Sequence, residues 1–291
     1  AARSDPRRRR SHAQGGSGHG TSRRLNQQQP ALPTESVQEL FEIGRMMLKQ
    51  MFLAVAVSFA TVVASGQTLH VYGPGGPLAP LKECAELYTR TTHKSVIVTG
   101  GPEAQWIIAA EADADLIYGG AEYMLTDFDQ HHPGLLQPGS RTELYARAAG
   151  VLVRKGNPKH IQSLADLVRP GIRILDVNGA GQVGLWEDLA GKEDLIAGIQ
   201  QHIAVSVTNS ADAIKQWNAN GALDAWITYV SWQKRLPDTT EVVPLAPEAL
   251  LYRGTPIALT SRTAQKQAAA EFLRFLQTDQ AHAIFIKWGW K

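Results

Sequence analysis

A strand, a glycine-rich turn and a helix are encoded by the stretch TLHVYGPGGPLAPLKECAELYTR, residues 68–90. Apolar residues predict a strand over 68–72, a turn follows at 73–77, and the spacing of apolar residues predicts a helix over 78–90. A helix that begins directly after a strand presents its first backbone N–H groups at the positive end of its dipole. This geometry favours binding of an anion without a charged side chain.

The same order of strand, glycine turn and helix recurs at residues 100–102 (Gly-Gly-Pro) and 179–181 (Gly-Ala-Gly). Strand-like and helix-like runs alternate around these turns, up to two helices predicted at 264–277 and 279–288. Such alternation predicts an α/β fold with mainly parallel sheets, in which ligands bind outside the carboxyl ends of the strands.

Two longer apolar runs, 144–154 and 249–260, divide the alternating pattern into two cycles. A chain that crosses twice between two such cycles predicts two lobes with a ligand cleft between them. We expect lobe 1 to comprise residues 67–146 and 254–291, and lobe 2, with the crossing strands, to comprise residues 147–253.

The first 66 residues have a different character. Residues 1–45 contain an arginine run at 7–10 and little apolar periodicity, which predicts a disordered extension that builds no core. Residues 46–66 combine a short basic start, an apolar run too short to span a membrane and a small-residue end, which is typical of a secretory signal peptide. We therefore interpret residues 1–45 as an extension ahead of the true start, and we predict export to the periplasm or the cell surface.

Charge and cysteine content limit the choice of function. Residues 1–66 hold nine of the 29 Lys and Arg and four of the 27 Asp and Glu, which leaves 20 basic and 23 acidic residues and a net charge of −3. The basic residues of the whole chain therefore do not indicate nucleic-acid binding, and a bound anion needs local donors. The single cysteine, Cys84, excludes an internal disulfide and lies on the apolar face of the first predicted helix.

Candidate ligand-binding residues lie where the predicted strands end or cross. Arg147 and Arg253 lie in the crossing runs, where a guanidinium binds a carboxylate or phosphate in bidentate fashion; the alternative is an ion pair with an acidic neighbour. Asn209 is alternatively only a helix cap, and Trp106 alternatively a core residue. The predicted ligand-binding set is Gly75, Gly76, Gln105, Trp106, Arg147, Gly181, Gln182, Asn209, Thr228 and Arg253.

The sequence favours a binding protein over an enzyme. Neither a G-x-S-x-G nor an H-E-x-x-H motif occurs, and we predict no metal and no cofactor. Residues 179–184 match the G-x-G-x-x-G fingerprint of an NAD-dependent oxidoreductase. However, the predicted helix behind this motif ends near Gly191 after about two turns, and no clear strand-terminal acid follows about 20 residues on.

Several short motifs make the chain resemble a known family. They are VYGPGGP (71–77), GPEAQW (101–106), DADLIYG (113–119), RKGNP (154–158), WED (186–188), DAWIT (224–228) and KWGW (287–290). With these motifs the chain resembles the accessory colonization factor AcfC and related surface-antigen adhesins, which are type II periplasmic solute-binding proteins akin to those for sulfate and molybdate. The resemblance covers essentially all of residues 68–291.

The resemblance implies an exported, two-lobed, non-catalytic protein, often a homodimer, that holds a small anion such as citrate, phosphoglycerate, sulfate or molybdate between its lobes. It leaves two roles open: delivery of the solute to the permease of an inner-membrane ABC transporter, or a surface role in adhesion with incidental anion binding. Resembling chains carry a longer Ser/Thr-rich insert before the Trp-Glu-Asp motif. Here only residues 182–185 intervene, so the hydroxyl donors of that insert are missing.

Overall fold

The computed structural model describes Arg45 and residues 68–291. The predicted extension and signal peptide lie outside these residues, apart from Arg45. None of the helices that the structure describes has the length and apolar character of a membrane-spanning helix.

Strands and helices alternate along the described residues. The strands are Leu69–Gly73 (β1), Val96–Gly100 (β2), Leu116–Tyr118 (β3), Thr142–Glu143 (β4), Arg147–Arg154 (β5), Ile174–Val177 (β6), Ile203–Val207 (β7), Ala225–Tyr229 (β8), Thr240–Val243 (β9), Tyr252–Arg253 (β10) and Pro256–Leu259 (β11). The α-helices are Leu78–Thr92 (α1), Ile107–Asp113 (α2), Met124–His131 (α3), Leu185–Gly191 (α4), Ile196–His202 (α5), Ser210–Ala219 (α6), Lys266–Phe275 (α7) and Asp279–Lys287 (α8).

The first sheet has the strand order β2-β1-β3-β11-β4. Strand β1 pairs in parallel with β2 and β3, and β11 pairs antiparallel with β3 and β4. Alternate side chains of β1 enter different cores: Leu69 and Val71 pack with α1, α7 and α8, whereas Tyr72 packs with Trp106 and Phe128 on the opposite face. This sheet and the helices on both its faces form lobe 1.

The sequence of α1 explains why residues 78–92 form a helix that packs on the first sheet. Its buried residues Leu81, Cys84, Ala85 and Tyr88 recur at intervals of three and four, so they form one apolar stripe that faces the sheet. Burial raises the pKa of the Cys84 thiol to about 12, which makes this residue part of the core and a poor nucleophile.

The second sheet has the strand order β10-β5-β8-β6-β7, with β9 also paired to β5. Strand β6 pairs in parallel with β7 and β8, and β5 pairs antiparallel with β8, β9 and β10. Four tryptophans, Trp186, Trp217, Trp226 and Trp232, lie in the core of this lobe 2. The predicted α/β class is confirmed, but both sheets are mixed, because the crossing strands β5 and β11 run antiparallel to their neighbours.

The structure contains elements that the sequence analysis did not predict. The run 249–260 contains two strands, β10 and β11, which are separated at Gly254 and Thr255. A 3₁₀ turn at Glu103–Gln105 precedes α2. Helices α3 and α5 were not predicted. The lobe boundaries given above stay predictions.

A close backbone approach at Gly179 provides a test of the fold. A Cβ atom there would lie 2.2 Å from the carbonyl oxygen of Thr208, whereas a Cβ at exposed Gly221 would meet no atom within 4 Å. We expect Gly179→Ala to lower the free energy of unfolding by about 2 kcal/mol, and the midpoint of thermal unfolding by about 4–8 °C. The matched control Gly221→Ala should change the free energy by less than about 0.5 kcal/mol. Equal midpoints for the two variants, measured by circular dichroism, would contradict this account.

Candidate functional site

The carboxyl ends of the parallel strands in the two lobes face a common cavity. Strands β1 and β2 end at Gly73 and Gly100 in lobe 1, and β6, β7 and β8 end at Val177, Val207 and Tyr229 in lobe 2. A cavity of about 280 Å³ lies between the loops that follow these strands. It is lined by Gly75, Leu78, Gly100, Gly101, Pro102, Gln105, Ala180, Asn209, Ser210, Ala211, Ile214, Trp232 and Arg235.

Among the described residues, Arg235 is the one charged residue that lines this cavity. It ends a 3₁₀ turn, Val230–Arg235, and its guanidinium lies over the Trp232 ring, with its carbon 4.6 Å from the ring centroid. Its Nη1 and Nη2 atoms donate to the carbonyl oxygens of Gly75 and Gly76 in the opposite lobe, at 3.0 and 3.1 Å. Burial lowers the pKa of Arg235. The described wall of the cavity therefore has a cation and no acid.

Arg147 lies next to this cavity at the start of β5, with only 1% of its surface exposed. Its Nη2 donates to the Gly120 carbonyl oxygen at 2.6 Å, and its guanidinium carbon lies 3.6 Å from the centroid of the Tyr229 ring. Burial lowers the pKa of Arg147 to about 10, so the side chain remains charged at neutral pH. Its acceptor is a neutral carbonyl, which offsets only part of the cost of burying a charge.

Neither of these two arginines has a carboxylate partner in the part of the chain that the structure describes. The arginines that form ion pairs there are Arg141, Arg169 and Arg253. Buried charges in proteins are usually paired. The buried guanidinium of Arg147 and the partly buried one of Arg235, both without an acidic partner, therefore favour a negatively charged ligand.

Gly75 and Gly76 connect the two arginines to the first helix. Their backbone N–H groups form no hydrogen bond with any described residue, and they precede the N-terminus of α1, which has no side-chain cap. A Cβ atom on Gly76 would lie 2.8 Å from Nη1 of Arg147, whereas a Cβ on Gly75 would meet nothing within 4 Å. A methyl group at position 76 would therefore push against the end of the Arg147 side chain near the N-terminus of this helix.

Three buried donors near the cavity lack a partner within residues 68–291. They are the Tyr118 hydroxyl, Nε1 of Trp232 and Nε of Arg147. The Tyr118 hydroxyl lies directly behind the cavity wall, since a Cβ atom on Gly100 would be 2.5 Å from it. Buried donors without acceptors favour a ligand that is rich in acceptor oxygens.

Comparison with known protein families shows the family of this chain. A family model for bacterial extracellular solute-binding proteins matches residues 69–291. The chain belongs to this family. A comparison with curated proteins found no match. The narrower assignment to the accessory colonization factors stays a prediction.

Solved structures confirm the two-lobed type II fold of this solute-binding protein. Peb3 from Campylobacter jejuni is 31% identical, with a TM-score of 0.70, over 77% of this chain and 99% of Peb3. PEB3 with bound L-phospholactate is also 31% identical, with a TM-score of 0.71 and the same coverage of both chains. The periplasmic molybdate-binding protein of Azotobacter vinelandii shares the fold at 21% identity, with a TM-score of 0.57, over 77% of this chain and 98% of its own.

Predicted residues in lobe 2 of the solute-binding protein form a buried network beside the cavity. Thr228 donates to Oε1 of Gln182 at 2.7 Å, and Nε2 of Gln182 donates to the hydroxyl of Ser210 at 3.1 Å. Ser210 lines the cavity, whereas Gln182 and Thr228 lie behind it. The carbonyl oxygen of Gly181 accepts from the Tyr229 hydroxyl. This network orients Ser210 at the N-terminus of α6.

The other predicted residues divide into two groups. Gln105 and Asn209 line the cavity. Oδ1 of Asn209 also caps α6 by accepting from the backbone N–H of Asp212 at 2.9 Å. Trp106 and Arg253 do not line the cavity: Trp106 is buried in the core of lobe 1, where its indole N–H donates to the Gly101 carbonyl at 3.1 Å, and Arg253 is ion-paired with Asp188.

Two further observations concern the G-x-G-x-x-G motif and metal binding. The helix after the G-x-G-x-x-G match, α4, has seven residues. No group of three or more His, Cys, Asp or Glu residues suited to a metal ion occurs in the described part of the chain.

The two buried tyrosines beside the cavity provide a test of its hydrogen bonding. Within residues 68–291 the Tyr118 hydroxyl has no partner, whereas the Tyr229 hydroxyl donates to Gly181. We therefore expect Tyr118→Phe to leave the free energy of unfolding unchanged or raised, and Tyr229→Phe to lower it by about 1–2 kcal/mol. Urea-induced unfolding, with no solute added, measures both values. A larger loss for Tyr118→Phe than for Tyr229→Phe would show that the Tyr118 hydroxyl is bonded.

Proposed function

We propose that this protein is an exported solute-binding protein that captures a small anion between its lobes and delivers it to a membrane transporter. The observation that carries the proposal is the pair of guanidinium groups beside a cavity whose described wall contains no acid: Arg147, which is buried, and Arg235, which is partly buried. Because no carboxylate within residues 68–291 neutralises them, a bound anion supplies the missing charge.

The solute class follows from the number and kind of donors. Two guanidinium groups suit a solute with two acidic groups, and each guanidinium binds a carboxylate or phosphate in bidentate fashion. A related structure contains L-phospholactate, which carries one phosphate and one carboxylate. We therefore propose a small phosphorylated or multiply carboxylated acid, with sulfate and molybdate as smaller alternatives that suit the same donors.

We assign the anion contacts to both lobes. In lobe 1 the proposed donors are the backbone N–H groups of Gly75 and Gly76 and the amide of Gln105. In lobe 2 they are Ser210, together with the N-terminal backbone of α6, which Asn209 caps. Gln182 and Thr228 support Ser210 through their hydrogen bonds. Arg147 and Arg235 connect the two sets, since each guanidinium donates to a carbonyl of lobe 1 from a position in lobe 2.

Lobe closure is the proposed functional event. Only when the lobes are together do donors from both surround one solute, so an anion binds the closed state better than the open state and shifts the population towards it. The proposed export rests on the signal sequence predicted at residues 46–66. The transporter partner and the homodimer also stay predictions.

A thermal-unfolding series with L-phospholactate, 3-phosphoglycerate, citrate, sulfate, molybdate and NAD tests the proposal. A solute at about 100 times its dissociation constant adds about 2.7 kcal/mol of stability, which for a chain of this length raises the midpoint by about 5–10 °C. We expect such a shift with at least one anion and none with NAD. A protein that responds to no anion, or to NAD alone, would contradict the proposal.

Charge-removing variants locate the anion. We expect Arg147→Met and Arg235→Met to lose the anion-induced shift, because each removes a bidentate donor from the site. Arg253→Met is the matched control, since Arg253 is already neutralised by Asp188, and it should keep the shift. An unchanged dissociation constant in Arg235→Met, measured by calorimetry, would remove Arg235 from the site.

Neighbouring glycines provide a second matched pair. Gly76→Ala places a methyl group 2.8 Å from Nη1 of Arg147 and should displace this guanidinium, whereas Gly75→Ala meets no atom and keeps its N–H group. We expect Gly76→Ala to weaken binding of the active anion by about tenfold or more, since a displacement of about 1 Å is costly at such a site. Gly75→Ala should stay close to the native affinity. Equal losses in the two variants would show that backbone flexibility, and not the position of Arg147, controls binding.

A further inference from the structure

The segment that follows α8, Gly289 to Lys291, contacts parts of the chain far from its own helix. We call these three residues the clasp. Its first two residues, Gly289 and Trp290, belong to the KWGW motif, which has no part in the anion site described above. The backbone of Gly289 has a φ of +93° and approaches lobe 2 closely, since a Cβ atom at this position would lie 3.0 Å from Cα of Ser231. A side chain here would crowd Ser231, and the positive φ favours glycine.

The clasp pairs with the first crossing strand by main-chain contacts. Trp290 forms an isolated antiparallel bridge with Arg147, and the backbone N–H of Lys291 donates to the Ala146 carbonyl oxygen at 2.7 Å. The Trp290 ring centroid lies 5.4 Å from the guanidinium carbon of Arg147. The clasp therefore contacts both the backbone and the side chain of the buried arginine.

The side chain of Trp290 reaches the second crossing segment. Its Nε1 donates to the hydroxyl of Thr255 at 2.9 Å, and both residues are buried. The carbonyl oxygen of Thr255 accepts in turn from the backbone N–H of Leu144, at 3.0 Å. One residue thus connects the two crossings, through its backbone to the first and through its indole to the second.

We propose that the clasp is a third connection between the lobes. The hydrogen bond from Trp290 to Thr255 fixes the orientation of the two crossing segments relative to each other. Trp290 is thereby a positioning residue for Arg147. The part that concerns Arg147 rests on the proposed anion binding, whereas the part that concerns the crossings does not.

The physical reason lies in how hinged lobes move. Crossing segments absorb the backbone rotation when lobes open, so a bond that joins both crossings restricts which lobe orientations are populated. Loss of that bond spreads the population over more orientations, and the apparent affinity for solute falls in proportion to the fraction that stays competent to bind.

Trp290→Phe removes the indole donor and keeps an aromatic ring, and Trp288→Phe is its matched control. Nε1 of Trp288 also makes one hydrogen bond, to Oε2 of Glu83 at 2.8 Å, but Glu83 lies on α1 in lobe 1. Thr255→Val removes the same bond as Trp290→Phe from the acceptor side, with almost no change in shape. The full chain is used throughout.

Distances between spin labels on the two lobes provide a measurement that does not depend on solute. Lys82→Cys on α1 and Lys215→Cys on α6 place labels at exposed positions, and Cys84 is buried. We expect Trp290→Phe and Thr255→Val to broaden the distance distribution when no solute is added, and Trp288→Phe to leave it unchanged. If Trp290→Phe lowers the unfolding midpoint but leaves the distance distribution unchanged, Trp290 contributes only to packing and the proposal is overturned.

Calorimetric titration with L-phospholactate tests the part that concerns Arg147. Loss of one buried hydrogen bond predicts an affinity lower by about 5- to 10-fold in Trp290→Phe and Thr255→Val. The double variant should show no further loss, because both changes remove the same bond. Native affinity in Trp290→Phe would overturn the positioning role. If the unchanged protein binds no anion, the proposed function fails, and the spin-label distances still decide whether the clasp holds the crossings.

Discussion

The burial of Arg147 where the chain crosses between two sheets is the constraint on which the site depends. A buried guanidinium costs several kcal/mol in lost hydration. Here the cost is offset in part by the Tyr229 ring and the Gly120 carbonyl, neither of which is charged. The chain thus keeps a cation at its centre without neutralising it. Arg235 repeats the arrangement with the carbonyls of Gly75 and Gly76. A protein whose chain beyond residue 66 has a net negative charge can bind an anion through such local, dehydrated donors.

Glycine turns have two separate roles in this arrangement. Some are needed for space: Gly76 admits the Arg147 guanidinium, and Gly179 lets its turn approach the backbone of Thr208. Gly75, where an added Cβ would meet no neighbouring atom, accepts a hydrogen bond from Arg235 through its carbonyl oxygen. The strand-turn-helix pattern therefore indicates where the binding surface lies, but it does not show which glycine is needed for shape and which for bonding.

The sequence analysis predicted those structural features that depend on local sequence patterns. The stripe of Leu81, Cys84, Ala85 and Tyr88 predicted α1, and the glycine turns predicted the strand ends that surround the cavity. It missed α3 and α5, since both are short and have few buried residues to show a period. It also missed Arg235, because a Lys-Arg pair at the end of a short turn is typical of an exposed surface. For Trp106 and Arg253 the sequence left a core position and an ion pair open beside ligand binding, and the structure shows contacts with the core of lobe 1 and with Asp188. Such contacts depend on tertiary packing that no local pattern contains.

The contacts of Arg147 and Arg235 also affect how easily the proposed anion would be released. A guanidinium has five N–H donors, so bonds to one or two carbonyls leave others for a solute. Neutral acceptors hold the side chains in position but bind them more weakly than a carboxylate would. A permanent carboxylate partner would have to be displaced by each incoming anion, at a cost in affinity. Carbonyl acceptors would avoid this competition and would keep the cations oriented between binding events of the proposed anion, which would reduce the ordering cost of each capture. In the proposed function, reversible capture would thus depend on the lack of acid among the described residues of the cavity wall as much as on the presence of arginine.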